Sequence, residues 1–122
     1  MSTKVKNLED ILKDLEVAIP QIQAAAIVSV EGLPIASALP GGVDETMIAA
    51  MTAAMLSLGE RAAAELDKGE LEQVYIKGKD GYVIAMGAGN NAVLTLSATK
   101  DAKLGLIFLE MERAAEKIGK LV

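Results

Sequence analysis

Val43-Asp44-Glu45-Thr46-Met47-Ile48-Ala49-Ala50-Met51-Thr52-Ala53-Ala54-Met55-Leu56-Ser57-Leu58-Gly59-Glu60-Arg61-Ala62-Ala63-Ala64-Glu65-Leu66-Asp67 is the stretch on which the fold turns. Ala, Met and Leu lose little side-chain freedom in a helix, so local propensity is strongly helical. Asp44 is placed to cap the N-terminus by accepting orphan backbone N–H groups. Gly69, just past the end, is a candidate for the left-handed residue that stops the helix. Nothing from Thr46 to Gly59 is charged, whereas a helix with one wet face would carry charge there. At 100° per residue, Met47, Ile48, Met51, Met55, Leu58, Ala62 and Leu66 form one bulky face, expected to meet the core. Ala49, Ala50, Ala53, Ser57 and Ala64 form a small, smooth side, with Glu60 and Arg61 at its far end. The expectation is a helix covered on both sides, the smooth side by a second copy or another partner. The plainer alternative is an Ala-rich helix that is simply exposed. The uncharged run is shorter than the about 20 residues needed to span a bilayer, so no membrane insertion is expected.

Outward from this helix, the chain supplies two more helices and five strands. Val5, Leu8, Leu12, Leu15 and Ile19 recur at helical spacing up to Pro20, which disfavours helix in the residue before it. Ala24–Val30 is apolar on both alternating faces and predicts a buried strand. Glu31-Gly32 turns the chain into Leu33–Leu39, an edge strand because Pro34 cannot donate to a ladder. After the central helix, Leu71–Lys77 alternates. Val74 and Ile76 face one way, and Gln73, Tyr75 and Lys77 the other, which predicts a second edge. Asp80-Gly81 is a hairpin turn leading into Tyr82–Gly87. Asn90-Asn91 leads into Ala92–Ala98. Both of these strands are apolar on both faces and hence central. The last helix has the buried stripe Leu104, Ile107, Phe108, Met111, Ala115 and Ile118, with Thr99 or Asp101 as its cap. Gly105 inside it implies close packing against the sheet. Putting both edge-like strands at the edges gives an antiparallel sheet of order 2-1-5-4-3. The central helix takes one face and the terminal helices the other, an α/β/α sandwich in the α+β class.

Composition bounds the function. The 122 residues suit a single domain over 1–122, and 52 % of them are hydrophobic. The net charge of −5 and one Phe with no Trp argue against a nucleic-acid interface. There is no Cys and no His. That removes thiolate sites and the commonest general base and zinc ligand, so no cofactor or metal site is expected. The absence of Cys and of an apolar leader points to a cytoplasmic protein. Gly87-Ala88-Gly89 lacks the third glycine and following helix of a dinucleotide loop. Gly78-Lys79 is followed by Asp80, where a phosphate loop needs Ser or Thr. The carboxylate pairs Asp44/Glu45, Glu70/Glu72 and Glu110/Glu112 fall at helix ends, in a turn and on a wet helix face. They are surface charge rather than acid–base machinery, and the chain is not expected to be an enzyme. Arg61 is expected to pair with Glu65 within the helix.

Four motifs in order, spanning essentially the whole chain, resemble the roadblock/LC7 family. They are Ile27–Ser37 with its turn glycine, the Ala/Met-rich helix, Gly78–Ala85, and Lys103–Ile118 with its leading Leu-Gly-Leu. The resemblance implies a five-stranded antiparallel sheet between helices. It also implies a homodimer made by pairing central helices and zipping third strands into one sheet. On it, the dimer interface falls at Ala49, Ala50, Ala53, Ser57, Ala64, Gln73, Tyr75 and Lys77. The implied role is an adaptor that docks a Ras-like small GTPase and modulates or localises it, through Ser57, Glu60 and Arg61. The alternative is a structural subunit of a larger assembly with no GTPase partner.

Overall fold

The computed structural model describes residues 3–122. Its elements are α1 (Thr3–Ala18), β1 (Ile22–Ser29), β2 (Pro34–Ala38), α2 (Glu45–Glu65), β3 (Val74–Gly78), β4 (Gly81–Ala88), β5 (Ala92–Thr99) and α3 (Leu104–Leu121). The five strands form one antiparallel sheet of order β2-β1-β5-β4-β3, the order expected from the two edge-like strands. Ala26 lies between Ser37 and Thr95, and Ala85 between Thr95 and Val74, so one residue from each strand forms a row across the sheet.

Period-two alternation sends the two halves of each strand to different layers. One face carries Ile27, Ile84, Met86, Leu94 and Leu96. They pack with Leu8, Leu12 and Leu15 of α1 and Ile107, Met111 and Ile118 of α3 into the larger core. The other face carries Ala26, Val28, Ala85 and Val93, beneath Ala49 of α2 and flanked by Ile48, Met55 and Leu56. Terminal helices on one face and the central helix on the other is the layering expected.

α2 crosses its face from edge to edge. Its first turn sits by β2, where the Ser37 hydroxyl donates to the Glu45 carboxylate. Gly59 lies over the other edge. A side chain there would meet Val74 Cγ2 at 2.5 Å and Leu71 Cδ2 at 3.1 Å, so only glycine allows this approach. Asp44 caps the start, accepting from the Thr46 N–H at 2.9 Å and the Met47 N–H at 3.4 Å. The stop differs from the expectation at Gly69. Asp67 takes the left-handed conformation at φ 58°. The Asp67 N–H then bonds the Ala64 carbonyl and the Lys68 N–H the Ala63 carbonyl, a Schellman end. A short polar side chain makes that conformation accessible without glycine.

Two expectations for α3 are corrected. Thr99 and Asp101 do not cap it. The Thr99 hydroxyl bonds the Asp101 carboxylate within the turn, and Lys103 occupies the cap position with no side-chain bond. That hydrogen bond holds the Asp101 carboxyl below the usual carboxylate range. Gly105 is exposed and a Cβ there would meet nothing within 4 Å, so it does not pack on the sheet. The close helix approach comes at the other end, where Gly119 lies against Gly89 of the β4–β5 turn.

Candidate functional site: the open flank of the central helix

The sheet-facing stripe of α2 is Ala49, Thr52, Leu56, Gly59 and Ala63, spaced at three and four residues. Ala49 is 0 % exposed and Thr52 2 %. This reverses part of the assignment made from periodicity. Ala49, expected on a partner-facing side, is sealed against the sheet and offers no surface. Ala53 is half-buried against the β1–β2 turn, with its Cβ 3.3 Å from where a Gly32 side chain would begin. Conversely Met47, Met51, Leu58 and Leu66, expected in the core, are 46–69 % exposed. The reason is steric. Ala26 and Ala85 give this sheet face little relief, so a helix nests closest with its small residues inward.

The two flanks of α2 differ. Ala50, Ser57 and Ala64 are exposed on the flank shared with Ala53, by the β1–β2 turn. On the opposite flank, Ile48, Met51 and Met55 border a half-buried strip of sheet made by Ala24, Ser97 and Val83. Between helix and strip runs an apolar groove of about 70 Å³, with Leu39 also in its lining. Ile76 of β3, 50 % exposed, shares the Val83 side of the sheet and extends the strip to the edge.

Among the described residues β3 is an unpaired edge, with β4 as its one neighbour in the sheet. Tyr75 and Lys77 are exposed on it, and Gln73 is half-buried just before the strand begins at Val74. Tyr75 turns to the far face and meets Phe108 of α3, ring centroids 5.8 Å apart. At the outer end of α2, Ser57, Glu60 and Arg61 are all exposed. The Arg61 guanidinium pairs with Glu65 at 3.1 Å, as expected from the i,i+4 spacing. Both partners are well exposed, so the pair contributes little to stability.

Sequence reasoning missed Met47, Met51, Leu58, Leu66 and Ile76 as surface residues. The available signal was Gly59 in line with Ala49 and Ala63, since a glycine within a small-residue stripe marks where backbones approach. Among the described residues there is no group of acidic side chains arranged to hold a metal ion, and no helix long and apolar enough to cross a membrane.

The fold has relatives. An uncharacterised protein of Methanocaldococcus jannaschii, MJ1340, is 43 % identical over 97 residues, covering 80 % of this chain and 84 % of its own. Among solved structures, an MglB with tetrameric arrangement superposes with a TM-score of 0.90 at 18 % identity, covering 99 % of this chain and 91 % of that one. Myxococcus xanthus MglB superposes at 0.86 with 20 % identity, covering 100 % and 95 %. At such identities these two establish likeness of fold. The Roadblock/LC7 domain model matches residues 8–98, from the first core leucine of α1 to the end of β5. With its sheet order, its small-faced central helix and that match, this chain belongs to the Roadblock/LC7 domain family.

Proposed function

We propose that the whole chain acts as one Roadblock/LC7 domain that pairs with a second copy, and that the dimer is a non-catalytic cytoplasmic adaptor for a Ras-like small GTPase, modulating or localising it. The observation that carries the reading is the continuous apolar flank running from Met51 through Leu58 to Leu66 and Ile76, beside an unpaired strand edge. Both features are liabilities in a free chain. One two-fold axis beside β3 relieves both, joining the two sheets edge to edge and laying the α2 helices side by side. The interface residues are then Met51, Leu58, Leu66, Tyr75, Ile76 and Lys77. Ala50, Ser57 and Ala64 stay outside, and Ala49 and Ala53 stay within the chain.

Each helix presents the Arg61–Glu65 pair on its outer side, with Ser57 and Glu60 exposed beside it toward the flank away from the axis. Two copies make a compact charged platform above an apolar seam. A GTPase docking there would meet groups from both chains, so binding would require the dimer. The test is capture by the immobilised protein from lysate of its own source, with a GTP analogue or GDP added. Retention of a small GTPase in one nucleotide state, lost on Arg61→Ala, is the expected result. A steady set of other proteins with no GTPase in either state would replace this reading with that of a scaffold subunit.

A further inference from the structure

Thr52, Thr95 and Ser97 bring three hydroxyls to the groove beside α2, and the chain itself bonds none of them. Thr95 and Ser97 are two residues apart on β5, so both point to the α2 face of the sheet. Thr95 lies in the row with Ala26 and Ala85, and Ser97 in the next row with Ala24 and Val83. Thr52 comes from the sheet-facing stripe of the helix. It is 2 % exposed and Thr95 is 3 % exposed. A threonine inside a helix ordinarily returns its hydroxyl to the carbonyl four residues back or turns it to solvent. Thr52 makes no such bond and is buried. No fully enclosed side-chain oxygen among the described residues lacks a partner, so the Thr52 and Thr95 oxygens reach open space, and the space beside them is the groove. Valine has the shape of threonine and would suit an apolar floor. The hydroxyls add a desolvation cost that only a bonding partner in the groove offsets.

The rest of the lining sets the other requirements. It is aliphatic and thioether, from Ile48, Met51, Met55, Val83 and Leu96, and no described residue in it is charged. A charged group would enter without a counter-charge, so what lies in the slot is neutral. Hydroxyls both donate and accept, so a single alcohol or ketone oxygen satisfies them. An apolar cavity of about 150 Å³ holds a benzene ring, so the groove, at about 70 Å³, takes roughly half as many atoms, an alkyl group of about three or four carbons. Met51 and Met55 are unbranched and adjust to a longer tail.

We propose that the groove is a binding site for a small uncharged molecule with a short alkyl body and one alcohol or ketone oxygen. Thr52 and Thr95 hold the oxygen, with the half-buried Ser97 nearer the mouth. Met55, Val83 and Leu96 enclose the alkyl group. The site is built within one chain, so it does not rest on the pairing proposed above.

The probes are sec-butanol and butanone, with butyrate and n-butylamine as charged counterparts of similar size. Methyl NMR spectra of the whole chain read the site. The neutral probes should shift the Met55 and Val83 methyls saturably, in the millimolar range that so few atoms allow. The methyls of Leu12 and Ile118, in the core on the other face, should stay unmoved. The charged probes should shift none of these. Thr95→Val keeps the shape of the floor and should weaken sec-butanol about tenfold, the loss of roughly one hydrogen bond, with the melting of the free chain unchanged or slightly raised. Ala24→Leu, at a half-buried position of the lining, should fill the slot and abolish the shifts. An equal response to the charged probes, or undiminished affinity in Thr95→Val, overturns the assignment. The absence of any saturable shift also overturns it and leaves the groove to water. Loss of the shifts at concentrations where the chain pairs overturns it in favour of a second copy.

Discussion

Leu58→Asp should separate the two copies, and Ala64→Asp should not. Leu58 is 69 % exposed and lies between Met51 and Leu66 on the open flank of α2. Ala64 is also exposed, but on the opposite flank. Fully burying a leucine is worth about 1.5–3 kcal/mol, so covering its bare two-thirds contributes roughly 1–2 kcal/mol. The two-fold axis counts this twice, giving roughly 2–4 kcal/mol per dimer before any carboxylate is desolvated. At 1.4 kcal/mol per decade the dissociation constant should rise by about 30- to 1000-fold. Within one chain the substitution touches little, and the lower helix propensity of Asp costs under about 1 kcal/mol. Sedimentation equilibrium over a concentration series gives the constants, and melting at low concentration checks the fold. Leu58→Asp remaining fully dimeric while Ala64→Asp dissociates would refute the choice of flank and restore the smooth side as the interface.

Other consequences are local. Gly89→Ala places a side chain at φ +75°, with its Cβ 3.0 Å from Gly119 Cα. It should destabilise by about 1–3 kcal/mol in denaturant melts, and wild-type stability would mean that the turn and α3 are not in contact. Gly105→Ala, on the exposed first turn of α3 with nothing within 4 Å, should instead stabilise by about 0.5–1 kcal/mol. Removing the α2 cap with Asp44→Ala should cost about 1 kcal/mol in the same assay. Partial burial raises the Glu16 carboxyl above its usual range. A raised folded value favours the protonated form, so its contribution is fully present at acid pH and is lost as pH rises through that value. Glu16→Gln should therefore raise the melting temperature slightly at pH 7, and the gain should vanish at pH 3.

The sheet was legible because its evidence is local. Pro34 removes a donor and so marks an edge. The half-polar alternation of Tyr75 and Lys77 marks the other, and the strands apolar on both faces have only the middle left. Once the order is set, α1 and α3 follow, since each has one apolar stripe and one charged side. α2 was legible as a helix but not in its orientation. Periodicity sorts residues into stripes, and where every stripe is uncharged it does not say which faces inward. Size then misled, because bulk was assigned to the core. The sheet beneath α2 presents Ala26 and Ala85. Against a shallow surface, a helix gains more contact by approaching closely with Ala49 and Gly59 than by standing off on Met51 and Leu58. The end of α2 was misplaced for a related reason. Asp67 adopts a conformation that composition assigns to glycine, because two Schellman hydrogen bonds hold it there.

That orientation is what connects the fold to a role. Scattered exposed apolar residues are ordinary on a folded chain. Here Met51, Leu58, Leu66 and Ile76 are exposed together, bordered by a groove and by an open strand edge, and the helix carrying the first two runs on for six residues past Gly59, which meets the edge strand at Val74. The last turn of α2 is mostly exposed in a chain standing alone, with Ala63 half-buried. A second sheet continuing at the β3 edge, as proposed above, would give it something to rest on. Were two copies joined as proposed above, the exposed Arg61–Glu65 pair of each helix would lie on its outer side, above the seam, where a third protein would meet it.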